Sequence, residues 1–168
     1  AGLPGNSETR GRGGADPRGG DGGGLLVQMP QGFLARKAKE LGFALPKPGE
    51  YAVGALFMPR ETAWREVIQG IIADQIKAEG LTLLGWRKVP TDNSSLSDTV
   101  KPTEPSNMPV FTGRNGPVRT EDYFVHLLYP LRKSFSHSIH HRRTLGPSAL
   151  YPGPLSGPPL NNLSSSRR

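Results

Sequence analysis

The stretch "YAVGALFMPRETAWREVIQGIIADQIKAEGLTLLGWRKVP", residues 51–90, decides the fold that the sequence predicts. Its first eight residues are apolar and stop at a proline, which is typical of a buried strand over 51–58. A helical segment follows over 61–80 and ends in glycine, a natural helix stop. Residues 81–90 then predict a second strand that ends at a proline. Strand, helix and strand with short connections predict a βαβ-type unit.

The helix between these strands carries an apolar stripe at steps of three and four residues, the period of an α-helix that buries one face. Such a stripe needs a covering layer, and the strands on either side of it in sequence favour a sheet face over a partner protein. The stripe consists of Trp64, Val67, Ile68, Ile71, Ile72 and Ile76, and the other faces carry Arg65, Glu66, Gln69, Asp74 and Lys77.

The segments before this unit predict a short strand and a second helix. "LLVQMP", residues 25–30, has the length of a strand closed by proline. "QGFLARKAKELGF", residues 31–43, places Phe33, Leu34, Ala38 and Leu41 at helical spacing, with Gly42 as its C-cap.

The segments after the unit carry weaker signals. Residues 91–109 predict a long polar loop, and "VFTGR" that follows it predicts one more short strand. "TEDYFVHLLYPLRKSF", residues 120–135, predicts a capped helix or a strand, because Thr120 and two acids favour a helix start. Pro130 is expected to interrupt it.

Both ends of the chain differ from the middle. Ten of residues 1–24 are Gly, so this segment is expected to be disordered. Residues 136–168 contain no acid, five prolines and no sustained periodicity, which predicts a disordered basic tail. A misread frame or an unspliced intron is an alternative origin for the tail. The predicted organisation is thus a Gly-rich segment over 1–24, a globular part over 25–135 and a disordered basic tail over 136–168.

Composition excludes several function classes. The chain has no cysteine, so disulfides, iron–sulfur ligation and cysteine nucleophiles are excluded within its 168 residues. The net charge of +7 is spread between the tail and the middle rather than along one folded face, which disfavours nucleic acid as a partner. No apolar run reaches the length of a membrane span, and the N-terminus has no apolar core of a secretory signal.

The glycine run "GGDGGG", residues 19–24, loosely matches a dinucleotide-binding loop. Such a loop follows a strand and opens a helix, whereas here a strand is predicted to follow, and the Lys of a Walker A loop is missing. A tight loop is the favoured interpretation. Asp16 and Asp21 within or beside the run could bind a cation, although a turn-capping role is favoured.

The histidines form the other candidate site. His137, His140 and His141 could place two imidazoles on one helical face, but zinc sites need three or four ligands and no acid lies nearby in sequence. His126 stands between apolar neighbours and predicts a partly buried structural histidine rather than a catalytic base.

Several separated segments resemble one family, the large subunits of glutamate synthase. "RGRGGADPRGGDGGGLLVQMP" is similar to the glycine- and aspartate-rich signature of that family, with Thr9, Gly19 and Gly23 as departures. The resemblance continues through "LGFALPKPGEYAVGALFMPR", "AEGLTLLGWRKVPTDNSSL", "EPSNMPVF" and the segment 120–135. The matching signature positions are Arg10, Gly11, Gly14, Ala15, Asp16, Gly20, Asp21, Gly22, Gly24, Leu26, Gln28 and Pro30.

The resemblance implies a class II glutamine amidotransferase domain of the Ntn (N-terminal nucleophile) type. The implied fold is α+β, an incomplete αββα sandwich that contains the βαβ-type unit. In the family, an N-terminal cysteine attacks the glutamine amide with the chain's own amine as base, and an Asn-Gly pair stabilises the oxyanion. Ammonia then passes to a domain with FMN and an iron–sulfur cluster, where 2-oxoglutarate becomes glutamate.

The resemblance implies structural roles, and no catalytic roles, for the residues of this sequence. Arg10, Asp16, Gly20, Asp21 and Gly22 are expected to have structural roles or to line the wall of the site. No catalytic residue transfers, because the chain has no cysteine and the oxyanion and glutamine-binding motifs of the family lie past the end of the resemblance. No cofactor-binding or metal-binding residue transfers, because the resemblance does not extend to the flavin and iron–sulfur domains. The partners implied are glutamine and the remainder of the glutamate synthase polypeptide, in the cytoplasm or a plastid.

The sequence therefore predicts a glutamate synthase fragment that is inactive alone. One alternative is a non-catalytic binding module whose basic tail, with Arg142, Arg143, Arg167 and Arg168, binds RNA or an acidic partner. The other is an independent hydrolase that uses His126.

Overall fold

The computed structural model describes residues 29–99, 101–116, 120–140 and 151–156. Within these ranges the chain forms three α-helices, five short strands and a single 3-10 turn over Lys101–Thr103. The helices are α1 (Gln31–Glu40), α2 (Thr62–Ala78) and α3 (Glu121–His140), and the strands are β1 (Tyr51–Met58), β2 (Thr82–Trp86), β3 (Ser106–Asn107), β4 (Val110–Gly113) and β5 (Tyr151–Ser156).

All the strand pairs in the described residues are antiparallel, and β1 lies at the centre. β3 and β4 pair with β1 in one unbroken register, from Tyr51 opposite Gly113 to Met58 opposite Ser106. They therefore form a single strand along one edge of β1, interrupted at Met108 and Pro109. β5 occupies the other edge of β1, and β2 pairs with β4. The result is a four-stranded sheet in the order β2, β4 with β3, β1, β5.

The sheet contains two interleaved β-α-β units. β1 and β2 are both antiparallel to β4, so they run parallel to each other with β4 between them, joined through α2. In the same way β4 and β5 flank β1 and are joined through α3. The predicted βαβ-type unit is therefore present, but a strand from later in the chain separates its two strands. This βαββαβ order is that of the ferredoxin-like split β-α-β fold, and the fold class is α+β as predicted.

One face of the sheet is covered by α2 and α3. The isoleucines of the α2 stripe pack there against the inward residues of β1 and β4, as the sequence predicts, while Val67 at the stripe's margin is exposed. Fully buried aliphatic side chains of this size each contribute about 1.5–3 kcal/mol of transfer free energy. The buried cluster consists of Ala52, Leu56, Met58, Ile68, Ile71, Ile72, Ile76, Leu81, Val110, Phe124, Leu128, Leu131, Phe135 and Ile139.

The opposite face carries a smaller cluster under α1. Tyr51 of β1 and Phe111 of β4 are buried there with Leu34 of α1. Phe33 and Leu41, both expected on the apolar side of this helix, are instead exposed. Gly42 ends α1 with a φ of 85°, the left-handed conformation that the sequence predicts for a C-cap glycine.

Pro130 does not interrupt α3, contrary to the sequence expectation. Thr120 caps the helix by accepting the Tyr123 N–H at 3.2 Å, and the helix then runs through Pro130 to His140. Proline costs about 3 kcal/mol in a helix interior. The helix persists because its buried stripe continues on both sides of the proline, with Phe124, Leu128, Leu131, Phe135 and Ile139 all in the large cluster.

The expected disorder from position 136 onwards is wrong for two segments. Residues 136–140 are the last turn of α3, and residues 151–156 form β5 against the central strand. Tertiary pairing supplies the order that local composition does not signal. Residues 141–150 and 157–168 lie outside the described residues, as do 1–28, which include most of the strand expected over 25–30.

A second compact unit contains the described residues 90–99 and 101–104 of the predicted polar loop. Asn93 Nδ2 donates to the Glu104 carboxylate at 3.0 Å, and Lys101 pairs with Asp98 at 3.1 Å. The Ser94 N–H donates to Asp92 at 3.0 Å, and the hydrogen bonds from Ser94 lower the pKa of that exposed carboxyl. These contacts hold the loop in a defined shape.

Candidate functional site

The predicted site-wall residues Arg10, Asp16, Gly20, Asp21 and Gly22 lie outside the described residues. Their roles therefore stay a prediction. The structure instead describes how the segment that follows the signature joins the fold, because the signature ends at Pro30 and α1 begins at Gln31.

Gln31 ties the first turn of α1 to the central strand. The Tyr51 hydroxyl donates a hydrogen bond to Gln31 Oε1, and Tyr51 is 1% exposed. Burial raises the pKa of the Tyr51 phenol, so this group stays protonated and remains a donor. The bond fixes the start of α1, directly after the signature, against β1.

Aromatic contacts hold α1 and the following segment on the sheet. The Phe43 ring meets the Phe111 ring edge-on, with centroids 5.3 Å apart and planes 62° apart. It also covers Gly85, where an added Cβ would lie 2.5 Å from the ring. At the start of α1, the Arg87 guanidinium lies 5.3 Å from the centroid of the Phe33 ring. Gly85 is thus required for close approach, a role that the sequence analysis did not assign.

An ion pair lies at the end of the paired strands β1 and β4, next to Tyr51 and Gly113. Arg114 Nη2 lies 3.0 Å from Glu50 Oε1, and the Arg114 N–H donates to the Glu50 carbonyl at 2.7 Å. Both side chains are partly exposed, so the pair stabilises the fold by at most about 1 kcal/mol. Its main effect is to fix the register at that end of the strands.

The β3 end of the sheet leaves two polar atoms without partners. Ser106 Oγ and Asn107 Oδ1 are shielded from solvent and have no hydrogen-bond partner within the described residues. Asn107 stands opposite Phe57, which remains 38% exposed. Buried polar atoms are almost always satisfied in complete folds. Within the described ranges, these two atoms at the β3 end of the sheet are exceptions to that rule.

The contacts that the structure describes for His126 do not include a catalytic partner. The histidine lies exposed on α3 rather than partly buried as expected, because it points away from the stripe that faces the sheet. Its Nδ1 lies 2.6 Å from the Asp122 carbonyl oxygen, one turn earlier in the same helix. A backbone carbonyl can hold the ring but cannot act as the carboxylate of a nucleophile–base–acid relay.

The structure describes only some of the other histidine candidates. His137 is exposed on α3, the side chain of His140 is not described, and His141 lies outside the described residues. Among the described residues, no group of three His, Cys, Asp or Glu side chains could hold a metal ion. None of the helices in the same ranges has the length and hydropathy that crossing a bilayer requires.

Comparison with known families gives the decisive result. The family model described as "Glutamine amidotransferases class-II" matches residues 4–157, most of the chain. The chain belongs to the class II glutamine amidotransferases. The match includes the glycine-rich signature and also extends through β5, which agrees with the place of that strand in the sheet.

The relatives of this amidotransferase chain are glutamate synthases with different electron donors in their names. It is 37% identical over 142 residues to a glutamate synthase [NADH] of Schizosaccharomyces pombe, covering 80% of the chain and 7% of that protein. It is 35% identical over 126 residues to the glutamate synthase [NADPH] large chain of Bacillus subtilis, covering 75% and 8%. A chloroplastic ferredoxin-dependent glutamate synthase 2 of Arabidopsis thaliana is 36% identical over 104 residues, covering 62% and 6%.

The matched region is a small part of these relatives. The chain spans less than a tenth of their length, so the activity of the whole enzymes does not follow from the match alone. What the chain shares with them is a segment of the glutamine amidotransferase region of glutamate synthase.

Proposed function

We propose that this chain provides scaffold for the glutaminase site of a glutamate synthase and has no glutaminase activity by itself. In the proposed reaction glutamine and water give glutamate and ammonia. The ammonia then reacts with 2-oxoglutarate, two electrons from the electron donor of the full-length enzyme and two protons, which gives a second glutamate and water. The observation that carries the proposal is the match over residues 4–157, together with similarity to glutamate synthases that differ in electron donor.

The absence of cysteine limits what these residues can do. The family's covalent route needs a thiolate to attack the amide carbon, and none of the 168 residues supplies one. We place Arg10, Asp16, Gly20, Asp21 and Gly22 at the wall of the glutamine site. The family match supports that placement, because it includes all five of these residues.

α2 and α3 with the sheet would supply one helical layer and one sheet layer of an αββα sandwich. α1 and Phe43 already cover the opposite face around Phe111, so the second sheet would cover the end around Phe57 and Asn107. Asn107 Oδ1 has no hydrogen-bond partner among the described residues, which supports this placement, because a neighbouring strand or loop would offer it a donor.

The remaining partners belong to the rest of the polypeptide. FMN and an iron–sulfur cluster would be bound by other domains of the proposed full-length enzyme, in the cytoplasm or a plastid. None of the residues of this chain is assigned to either group.

A transplant tests the scaffold role. Residues 10–157 replace the matching segment of the Bacillus subtilis large chain, and the rest of that chain is kept. We expect the chimera to release ammonia from glutamine, and we expect Asp21→Ala within it to reduce that rate. The purified 168-residue chain should release ammonia no faster than buffer. A folded chimera without glutaminase activity, or turnover by the isolated chain, would contradict the proposal.

A further inference from the structure

The turn that follows β4 contains an asparagine directly before a glycine. The chain has six asparagines, and Asn115 is the one that precedes a glycine. Asn115 and Gly116 are both exposed, so water reaches the pair. Asparagine amides are among the thermally labile groups of proteins. Glycine leaves the backbone nitrogen sterically open, because it has no Cβ.

The side chain of Asn115 folds back onto the backbone nitrogen of the next residue. The Gly116 N–H donates a hydrogen bond to Asn115 Oδ1 at 2.9 Å. Since Oδ1 is bonded to Cγ, the Gly116 nitrogen lies no more than about 4.1 Å from Asn115 Cγ. Atoms that react with each other are best held about 3–3.5 Å apart. A small rotation of the Asn115 amide is therefore enough to present its carbon to the nitrogen.

The other asparagines in the described residues are arranged differently. In β3 the N–H that follows Asn107 donates to the Leu56 carbonyl at 2.8 Å, so this nitrogen is held in the sheet. The Asn93 amide donates to the Glu104 carboxylate at 3.0 Å, and the N–H that follows Asn93 donates to Asp92 at 3.0 Å. Of these three asparagines, Asn115 alone combines exposure, a following glycine and a backbone nitrogen directed at its own side chain.

We propose that Asn115 is a site of spontaneous deamidation, with the backbone nitrogen of Gly116 as the nucleophile. The nitrogen loses its proton to hydroxide and forms a bond to Cγ. The bond between Cγ and Nδ2 breaks, and the amide group takes up a proton and leaves as ammonia. One water then opens the five-membered imide at either of its two carbonyls, which gives aspartate or isoaspartate at this position. The balance is asparagine plus water to acid plus ammonia, without an oxidant or a reductant.

The reaction changes the end of β4. The new carboxylate directly follows Arg114, which pairs with Glu50. The isoaspartate form also adds one atom to the backbone at this point. The reaction does not involve the proposed glutaminase site. It releases one ammonia per chain at this position without glutamine, so a blank without glutamine separates it from enzymatic turnover.

Incubation of the purified 168-residue chain at mildly alkaline pH tests the site. Cation-exchange chromatography of the intact chain should show a more acidic form that accumulates with time. It should form faster as pH rises, because the attacking nitrogen must lose its proton. Mass spectrometry of the tryptic peptide 115–119 should locate the change and show both aspartate and isoaspartate. Digestion in water enriched in heavy oxygen marks any conversion that occurs during the digest itself.

Two variants separate the geometry from the mere presence of asparagine. Gly116→Ala should slow conversion of Asn115 by about tenfold or more, because the methyl group crowds the attack. It should leave the fold intact, since among the described residues no atom beyond the chain neighbours lies within 4 Å of the added Cβ. Ser94→Gly is the matched control and creates a second asparagine–glycine pair. Asn93 in that variant should convert more slowly than Asn115, because its amide and the N–H that follows it are already hydrogen-bonded.

Four results would overturn the assignment. The first is no conversion of Asn115, and the second is aspartate without isoaspartate, which indicates direct hydrolysis by water. The third is an unchanged rate in Gly116→Ala. The fourth is equal conversion of Asn93 and Asn115 in Ser94→Gly, which would show that the hydrogen bonds of the folded chain do not select the site.

Discussion

The two faces of the sheet are held in different ways. The face under α2 and α3 is an extensive cluster of aliphatic side chains and phenylalanines, with many buried residues from both helices. The face under α1 depends on a few specific contacts: the Phe43 ring over Gly85, its edge-on contact with Phe111, and the Tyr51 hydroxyl on Gln31. The first face is stabilised by area and the second by precise fit. On the face under α2 and α3, a substitution should lower the free energy of unfolding in proportion to the side-chain volume removed. On the face under α1, its effect should depend on whether it disturbs one of these specific contacts.

The largest effect is expected from Phe135→Ala on the α2 and α3 face. Phe135 is 1% exposed within the large cluster, and removing its ring loses transfer free energy and leaves a cavity. The expected loss is about 3–5 kcal/mol in the free energy of unfolding, measured by urea denaturation. Tyr129→Ala on the same helix is the control, since Tyr129 is 64% exposed and should change stability by less than about 0.5 kcal/mol. Equal losses from both would show that α3 does not pack as described.

Gly85→Ala should have an intermediate effect that depends on one neighbour. The new methyl would lie 2.5 Å from the Phe43 ring, so the ring must leave its place beside Phe111. We expect a loss of about 1–3 kcal/mol. Gly70→Ala in α2, where nothing lies within 4 Å, should instead stabilise the protein by up to about 1 kcal/mol.

A double-mutant cycle isolates this contact. In the Phe43→Ala background the clash is gone, so Gly85→Ala should lose most of its effect on the free energy of unfolding. Additive effects in the cycle would mean that Phe43 and Gly85 do not touch.

The sequence predicts single elements of this fold better than it predicts their order in the sheet. The bounds of β1 follow from an apolar run that ends at a proline. The isoleucine stripe of α2 follows from its three- and four-residue spacing, which records the side of the helix that is buried. The insertion of β4 between β1 and β2 leaves no local signal, because strand order is set by pairing across the chain. The continuation of α3 through Pro130 also has no local signal, because it results from packing against the sheet, which outweighs the local preference of proline to end a helix.

The sequence likewise predicts some features of the candidate site and not others. The signature over residues 10–30 is visible by resemblance, and the exposure of His126 follows once α3 is seen to bury its other side. The need for glycine at position 85 was not visible, because it arises from a ring more than forty residues earlier.

The smallest effect is expected from Tyr51→Phe. The substitution keeps the ring but removes the hydrogen bond to Gln31, with an expected loss of about 0.5–1.5 kcal/mol in urea denaturation near neutral pH. Phe111→Leu, a change of shape on the same face without a lost hydrogen bond, serves as the comparison. A Tyr51→Phe variant as stable as the parent would show that the hydroxyl contributes nothing.

The same variant has a pH signature. Burial raises the pKa of Tyr51 above its ordinary value of 10.0, so the folded state holds the phenolic proton more tightly than the unfolded chain. Its contribution is complete below pH 10 and is lost as pH rises from there through the folded-state pKa. The alkaline decline in stability should therefore be shallower in Tyr51→Phe, and parallel declines would exclude ionisation of this group as a cause.

The interleaving of the two β-α-β units has a consequence for biosynthesis. Val53 in the central strand pairs with Ser156, about a hundred residues later in the chain. During translation β1 leaves the ribosome long before β5 exists, and its second edge stays open for that whole interval. The sheet can therefore be completed only after β5 has been made, and pairing over so long a stretch of chain is expected to form slowly.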